Sequence, residues 1–488
     1  MFLVPRFMLT GKKVFFWRFY RPPSDTINKS GRFNDYTTKL TITFAMRKLA
    51  ALGLVAGMLS MPALAQNKID FREFTLDNGL HVIMHQDNTT PIVITSVLYH
   101  VGSKNENPER TGFAHFFEHL MFEGTENIER GEYMNIIQGR GGTLNAFTSN
   151  DITYYYELLP SNELELALYM ESERMLHSKV DVTGVETQRE VVKEERRQRY
   201  ENQPYGTILP ETLKRAYAEH PYQWAPIGSM DHLNAATIEE FQQFYQDFYV
   251  PNNATLTIAG DISYEATEEM VRKYFSEIPK GQKEIYRPNV TEPKKTAEIR
   301  DVIYDNIQIP AVIQAYNLPP QNHPDSYALS LLSTYLTGGN SSLMTKELVD
   351  KQQKALAVAA IPLELEDGGL FLMYGIANMG VAPEVLETEI DALLKQVQQE
   401  GISDQDFEKL KNITENNIVS GNSSMAGIAQ NLAEAHVIYG NTNYINQVMD
   451  AYSKVTQEDI KRVANEYLNL EGRVVLYYLP KPQDAATE

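Results

Sequence analysis

From Phe71 onward, apolar and polar positions alternate in short runs broken by turn residues. Phe71-Arg72-Glu73-Phe74-Thr75-Leu76 and Leu80-His81-Val82-Ile83-Met84 predict two strands. Between them, Asp77-Asn78-Gly79 supplies the positive φ that a tight hairpin needs. Ile92 to Gly102 reads as a further strand. Residues 142–149 and 152–159 alternate again across a break at Asn150-Asp151. The period then lengthens to that of a helix through Leu164, Leu168, Glu171 and Met175. Two more helices are expected, one from Gly112 and one from Thr183-Gly184-Val185-Glu186. The latter has the form of a capping box and runs with few breakers from Gln188 to Tyr200. The pattern is α+β, a largely antiparallel sheet packed with helices.

The order repeats. After a polar stretch at 281–296 come a strand at 311–316, a helix at 326–336, a Gly338-Gly339 turn, a helix at 343–349, strands near 356–361 and 370–376, and later helices. The expected organisation is an α+β domain at 66–280, a linker at 281–296 and a second α+β domain at 297–488.

Residues ahead of this pattern read as a targeting segment. Met46-Arg47-Lys48, an apolar run from Leu49 to Met61, and Pro62-Ala63-Leu64-Ala65 with an Ala-x-Ala cleavage site before Gln66 make a secretory signal peptide at 46–65. The apolar run is short for a membrane span, and no Cys follows the cleavage site, so no membrane anchor is expected after cleavage. A signal peptide normally starts a chain; residues 1–45 are therefore expected to be a non-native extension, with Met46 the true start. Export to the periplasm is the expectation, full secretion the lesser one. Removal of residues 1–65 takes away ten Lys and Arg against two Asp and Glu, moving the net charge from −20 to −28. So acidic a chain lacks the basic footprint that nucleic acid or an anionic membrane requires.

Candidate chemistry lies in Gly112-Phe113-Ala114-His115-Phe116-Phe117-Glu118-His119-Leu120-Met121-Phe122-Glu123-Gly124-Thr125. On a helix, His115 and His119 stand one turn apart on one face, so two imidazoles can reach one cation. Imidazole pairs of this kind suit Zn²⁺, which takes three protein ligands in catalytic sites and leaves one position to water. The chain has no cysteine, so the donors are His and carboxylate. Glu118 is placed to act as general base on a water. The surrounding Phe113, Phe116, Phe117, Leu120, Met121 and Phe122 make a purely structural role for two His and a Glu costly, by several kcal/mol unless they are paired or metal-bound. A third ligand is expected on the 183–200 helix. Glu195 follows Val191 and Val192 by four and three residues and shares their face, whereas Glu194 falls with Glu190 and Gln198 on the charged side.

These residues carry a resemblance. His115-x-x-Glu118-His119, Gly124-Thr125, Gly141-Gly142-Thr143-Leu144-Asn145-Ala146-Phe147-Thr148 and Arg189-Glu190-Val191-Val192-Lys193-Glu194-Glu195 resemble the inverted-motif zinc peptidases that include pitrilysin, insulin-degrading enzyme and the mitochondrial processing peptidase. Glu195 lies 76 positions after His119, the family's separation. Similarity runs on through His220-Pro221-Tyr222 and residues 249–261. The resemblance implies one Zn²⁺ per chain on His115, His119 and Glu195, with Glu118 activating water for peptide-bond hydrolysis. It also implies tandem homologous domains forming half of a clamshell around an enclosed chamber. The segment of Asn145, Ala146 and Phe147 would then be an edge strand to which a peptide substrate adds.

Two departures stand out. Self-sufficient members carry an Arg and a Tyr seven residues apart in the second half, to stabilise the oxyanion; here Val349 and Leu356 occupy those positions, and neither donates a hydrogen bond. The expectation is a zinc-bearing subunit of a heterodimer whose homologous partner supplies the Arg/Tyr pair, a homodimer being less expected. The alternative is a non-catalytic structural subunit of the same fold. Gln188 also stands where the family often has Glu, which puts an acid behind the metal ligands in doubt.

Overall fold

The computed structural model describes residues 68–482. The leader at 46–65 and the residues before it lie outside the described residues. From Ile69 the chain forms one compact unit.

Strands β1 (Arg72–Thr75) and β2 (His81–Gln86) are the expected hairpin. Gly79 turns it with φ +90°, and a Cβ there would also stand 2.7 Å from the Cβ of Asn252, so the turn needs glycine twice over. The remaining strands of the first sheet are β3 (Ile92–Tyr99), β4 (Thr143–Thr148), β5 (Thr153–Pro160) and β6 (Ala254–Gly260), in the order β1-β2-β6-β3-β5-β4. Only β2 and β6 run parallel. A second sheet holds β7 (Ile299–Asp305), β8 (Ala311–Asn317), β9 (Ala355–Leu363), β10 (Leu370–Ala377) and β11 (Val474–Pro480), ordered β7-β11-β8-β10-β9. It repeats the first without its outermost strand, down to a single parallel pair, β7 with β11. The fold is α+β with two mainly antiparallel sheets. The sequence pattern missed β6, β7 and β11, because β6 and β11 lie far along the chain from the strands they join, β11 is an apolar run without alternation, and β7 reads as charged.

Helices of the first half are α1 (Phe113–Leu120), α2 (Glu132–Gly139), α3 (Leu164–His177), α4 (Val182–Arg196), α5 (Ile208–Ala216), α6 (Met230–Ala235), α7 (Ile238–Phe248) and α8 (Tyr264–Phe275). Those of the second are α9 (Asp325–Thr337), α10 (Pro383–Glu400), α11 (Asp404–Gly421), α12 (Met425–Tyr439), α13 (Val448–Ser453) and α14 (Gln457–Tyr467). No helix among the described residues is long and apolar enough to cross a membrane. The irregular stretch between α8 and β7 contains the polar run at 281–296.

Each sheet is buried on both faces, and each half lends the other a helix. One face of the first sheet (Val82, Met84, Val97, Leu256) packs with α1, α3, α7 and α8. Its other face (Ile83, Ile94, Leu98, Ala259) is covered by Ile428, Ala429, Leu432 and Ala433 of α12, from the second half. In return Leu213 and Ala216 of α5, with Tyr217 and Tyr222, cover Ile313, Ala315, Leu370 and Leu476 of the second sheet. A polar junction adds to the exchange: buried Lys104 reaches Asp151 at 3.0 Å, and Glu366 and Asp367 of the second half at 2.6 and 2.9 Å. Each half alone would expose a sheet face built of Ile, Leu and Ala, at about 25 cal/mol per Å² of apolar surface.

Residues 66–296 expressed alone are therefore expected to aggregate or to melt without a cooperative transition, and co-expression with 297–488 to restore a single sharp transition in calorimetry. Cooperative unfolding of the isolated half would show that the exchanged helices do not hold it.

Candidate metal centre

Three elements build the site, and α1 is the central one. Its N-terminus is opened by Gly112 at φ +102°, where a Cβ would stand 2.9 Å from the carbonyl oxygen of Ile227. Its free N–H groups are met by Glu106, which accepts from the backbone of Gly112 at 2.9 Å and of Ala114 at 2.8 Å. Glu106 is itself buried, which pushes its carboxyl up to about 8 against those donors. Phe113 and Phe116 pack on Phe241 of α7 with centroids 4.4 Å apart, and Tyr155 donates to the Phe117 carbonyl at 2.9 Å. The helix thus has one seating, with His115 buried and Glu118 and His119 at the rim of the core.

Helix α4 brings the carboxylate. Asp181, not Thr183, caps it, accepting from the Gly184 N–H at 2.8 Å while also holding Arg130 at 2.8 Å. Thr183 lies inside the first turn, and Arg130 draws the preceding Asp into the capping position, so the predicted capping box does not form. Buried Arg189 donates to the carbonyls of Leu233 and Ala236 and moors α4 to the α6–α7 connection. Glu195 then faces α1, and Glu194 faces solvent with Arg197 and Gln198. The face argument holds for Val192, fully buried; Val191 is 45% exposed, because α4 is covered on one narrow side only. Past Arg196 the helix widens into a π turn over Arg197–Glu201.

The structure brings His115, His119 and Glu195 together. One ligand atom from each lies within 4.8 Å of the others. Glu195 Oε2 is 3.1 Å from His119 Nε2 and 3.6 Å from His115 Nε2. Ligands bonded at 2.0–2.1 Å in tetrahedral array stand about 3.3 Å apart, so the donor set and its spacing fit Zn²⁺. Burial, and then His119 beside it, holds the His115 imidazole at about 3, neutral at physiological pH as a ligand must be. Burial works to raise Glu195, but the His119 hydrogen bond and the charges beside it, the Arg199 guanidinium among them, outweigh it and hold the carboxyl at about 2. Arg199, one turn on, grips Glu195 Oε1 at 2.8 Å and leaves Oε2 for the imidazoles. The i, i+4 spacing of Glu195 and Arg199 was a readable signal for that pair. Among the described residues, His115 Nδ1 is buried without a hydrogen-bond partner.

Glu118 stands beside this triangle. Its Oε2 accepts from the Thr148 hydroxyl at 2.8 Å, and burial raises its carboxyl above the usual range. Thr148 ends β4, which among the described residues pairs only with β5 and so leaves one edge free. Along β4, Ala146 faces the α1 core, while Phe147 packs with Leu98, Tyr154 and Ala433 on the opposite face. Phe147 is half-buried there. Asn145 is exposed and its Oδ1 accepts from the Ala146 N–H at 2.9 Å. Gln188 does not reach the metal ligands; its amide donates to Glu123, which Arg130 also holds. Val349 is half-buried in the π turn Thr345–Lys351, and Leu356 is exposed on edge strand β9. Sequence reasoning missed Glu106 and Thr148: Glu106 caps α1 from an irregular stretch six residues before Gly112, which no helix periodicity marks, and Thr148 acts across a contact between segments thirty residues apart.

The family profile described as "Insulinase (Peptidase family M16)" matches residues 81–225, and that described as "Peptidase M16 inactive domain" matches residues 235–414. The zinc protease PqqE of Helicobacter pylori is 34% identical over 412 residues, covering 83% of this chain and 92% of that protein. The crystal structure of a protease from Helicobacter pylori superposes with a TM-score of 0.81 at 31% identity, covering 84% of this chain and 100% of the other. The probable mitochondrial-processing peptidase subunit beta of Arabidopsis thaliana is 24% identical over 407 residues, 81% of this chain and 76% of that one. With the inverted His115-x-x-Glu118-His119 pair and Glu195 on one rigid scaffold, the chain belongs to the M16 family of insulinase-type peptidases.

Proposed function

We propose that the protein is a zinc-dependent endopeptidase acting on peptides or unfolded segments, and that it is the metal-bearing subunit of a heterodimer whose homologous partner supplies an Arg and a Tyr. The observation that carries the reading is the His115, His119 and Glu195 triangle at zinc spacing, with Glu118 beside it and a free strand edge leading to it. The names of the relatives, zinc protease and processing-peptidase subunit, support it.

Each residue has a part. His115, His119 and Glu195 would hold the ion, and Arg199 orients Glu195. When bound, the zinc ion makes water more acidic and polarises the scissile carbonyl. A peptide adds along β4 by backbone hydrogen bonds, which tolerate many sequences, and displaces the Asn145 carboxamide from the Ala146 N–H. Glu118 takes the proton of the attacking water and returns it to the leaving amine; its raised pKa matches that two-way task. The Thr148 hydroxyl fixes the carboxylate that does this. The oxyanion needs donors that Val349 and Leu356 do not provide, which is why a partner is part of the proposal. Export through the 46–65 leader would put the pair in the periplasm, and a mature N-terminus at Gln66 in periplasmic extracts is the corresponding check.

Metal analysis of the dialysed protein is expected to give one tightly held zinc in the wild type and in Glu118→Gln, and to lose it in His119→Ala. Hydrolysis of a mixed unstructured peptide library should need the partner from the same cells and vanish in Glu118→Gln. Equal rates without any partner would discard the split site; no cleavage under any condition, with zinc bound, would favour a structural subunit. Thr148→Val should lower kcat about five- to tenfold with little change in KM, the size of one hydrogen bond of about 1 kcal/mol.

A further inference from the structure

A second group of ligating side chains lies apart from the first, with the same chemistry of two imidazoles and one carboxylate. Glu73 on β1, His81 on β2 and His436 on α12 each place one ligand atom within 4.8 Å of the other two. His81 Nε2 stands 3.2 Å from Glu73 Oε2, close to the donor separation of about 3.3 Å that a tetrahedral zinc-class ion requires. The rings of His81 and His436 lie flat on one another, centroids 3.6 Å apart and planes 3° apart. Two imidazolium rings in such contact would repel strongly, so at least one ring is a neutral imidazole with a lone pair to give.

Supporting groups surround the three. Thr75 Oγ1 meets His81 Nδ1 at 3.2 Å, which leaves Nε2 as the nitrogen facing the carboxylate. The Thr442 hydroxyl donates to the same Glu73 oxygen and lies 3.4 Å from His436 Nδ1. Hydrogen bonds of this kind, on the far nitrogen of a ligating His or on a ligating carboxylate, orient ligands in metal sites. Direct coordination asks His436 to turn about its outer torsion until its lone pair converges with that of His81. That torsion is broad and inexpensive to move. Glu73 is exposed and the two rings are half-buried, so an ion can arrive from solvent.

The position gives such an ion a consequence. His436 belongs to the helix that covers the outer face of the first sheet, and Glu73 and His81 to the hairpin at that sheet's edge. We propose that Glu73, His81 and His436 form a second divalent-cation site, selective for zinc-class ions over Ca²⁺ and Mg²⁺, that clasps α12 to the β1–β2 hairpin. Imidazole-rich donor sets favour Zn²⁺, Co²⁺ and Ni²⁺, and an ion bound only to the folded state stabilises it.

The test is titration of the chelator-treated full chain with Zn²⁺, and with Co²⁺ read by its visible spectrum. Two equivalents are expected, the second weaker because Glu73 is exposed. His119→Ala should remove the tight equivalent and leave the weak one. His436→Asn and Glu73→Gln, both near-isosteric, should each remove the weak one and leave the tight one, whose retention reports an intact fold. Saturation of the weak site should raise the melting temperature of the wild type by a few degrees and leave that of Glu73→Gln unchanged. A single equivalent in the wild type, or a weak equivalent that survives both His436→Asn and Glu73→Gln, would overturn the proposal.

Discussion

The site depends on one distance, that from Glu195 Oε2 to two imidazole nitrogens presented by a helix nearly eighty residues earlier. A carboxylate and two neutral imidazoles form a metal set only at about 3.3 Å spacing, and neither helix alone can set it. Helix α1 is seated by the Glu106 cap at its start, by Phe241 against its aromatic side and by the Tyr155 hydroxyl on its last turn. Helix α4 is seated by Asp181 at its start and by Arg189 along its length. None of these anchors touches a ligand side chain, yet a shift of either helix would open the triangle.

Rigidity of that kind rests on the sheet beneath α1, and the sheet rests on the second half. Because α12 covers the face of β2, β3 and β6 turned away from the site, the half without a His pair is structurally necessary to the half that has one. The return loan of α5 to the second sheet makes the dependence mutual. The repeated strand order thus lies within one compact body. The Glu73, His81 and His436 group sits on that seam.

Local patterns read well where the physics is local. The Asn78-Gly79 hairpin, the strand pair around Asn150-Asp151 and the α1 and α3 periodicities are each decided by turn conformation or by one buried face, both of which a short window records. Reading failed where a distant group competes. Arg130 helped move the α4 cap from Thr183 to Asp181; the exposed side of α4 left Val191 in water; and β7 is a strand because it pairs with β11, itself held by β8, not because of its own alternation. At the site, the two His and Glu118 were legible from spacing, and the choice of Glu195 over Glu194 from the face of Val192.

By itself, then, the sequence determined which side chains could be ligands and base and that the sheets would be mainly antiparallel. Residue type and short-range periodicity carry that information. Only the tertiary structure decided how far apart the donors lie, that Thr148 at the end of a free-edged strand holds Glu118, that Gln188 turns to Glu123, and that each half borrows a helix from the other. Those are distances between segments remote in the chain, set by packing of whole elements, and no window of sequence contains them.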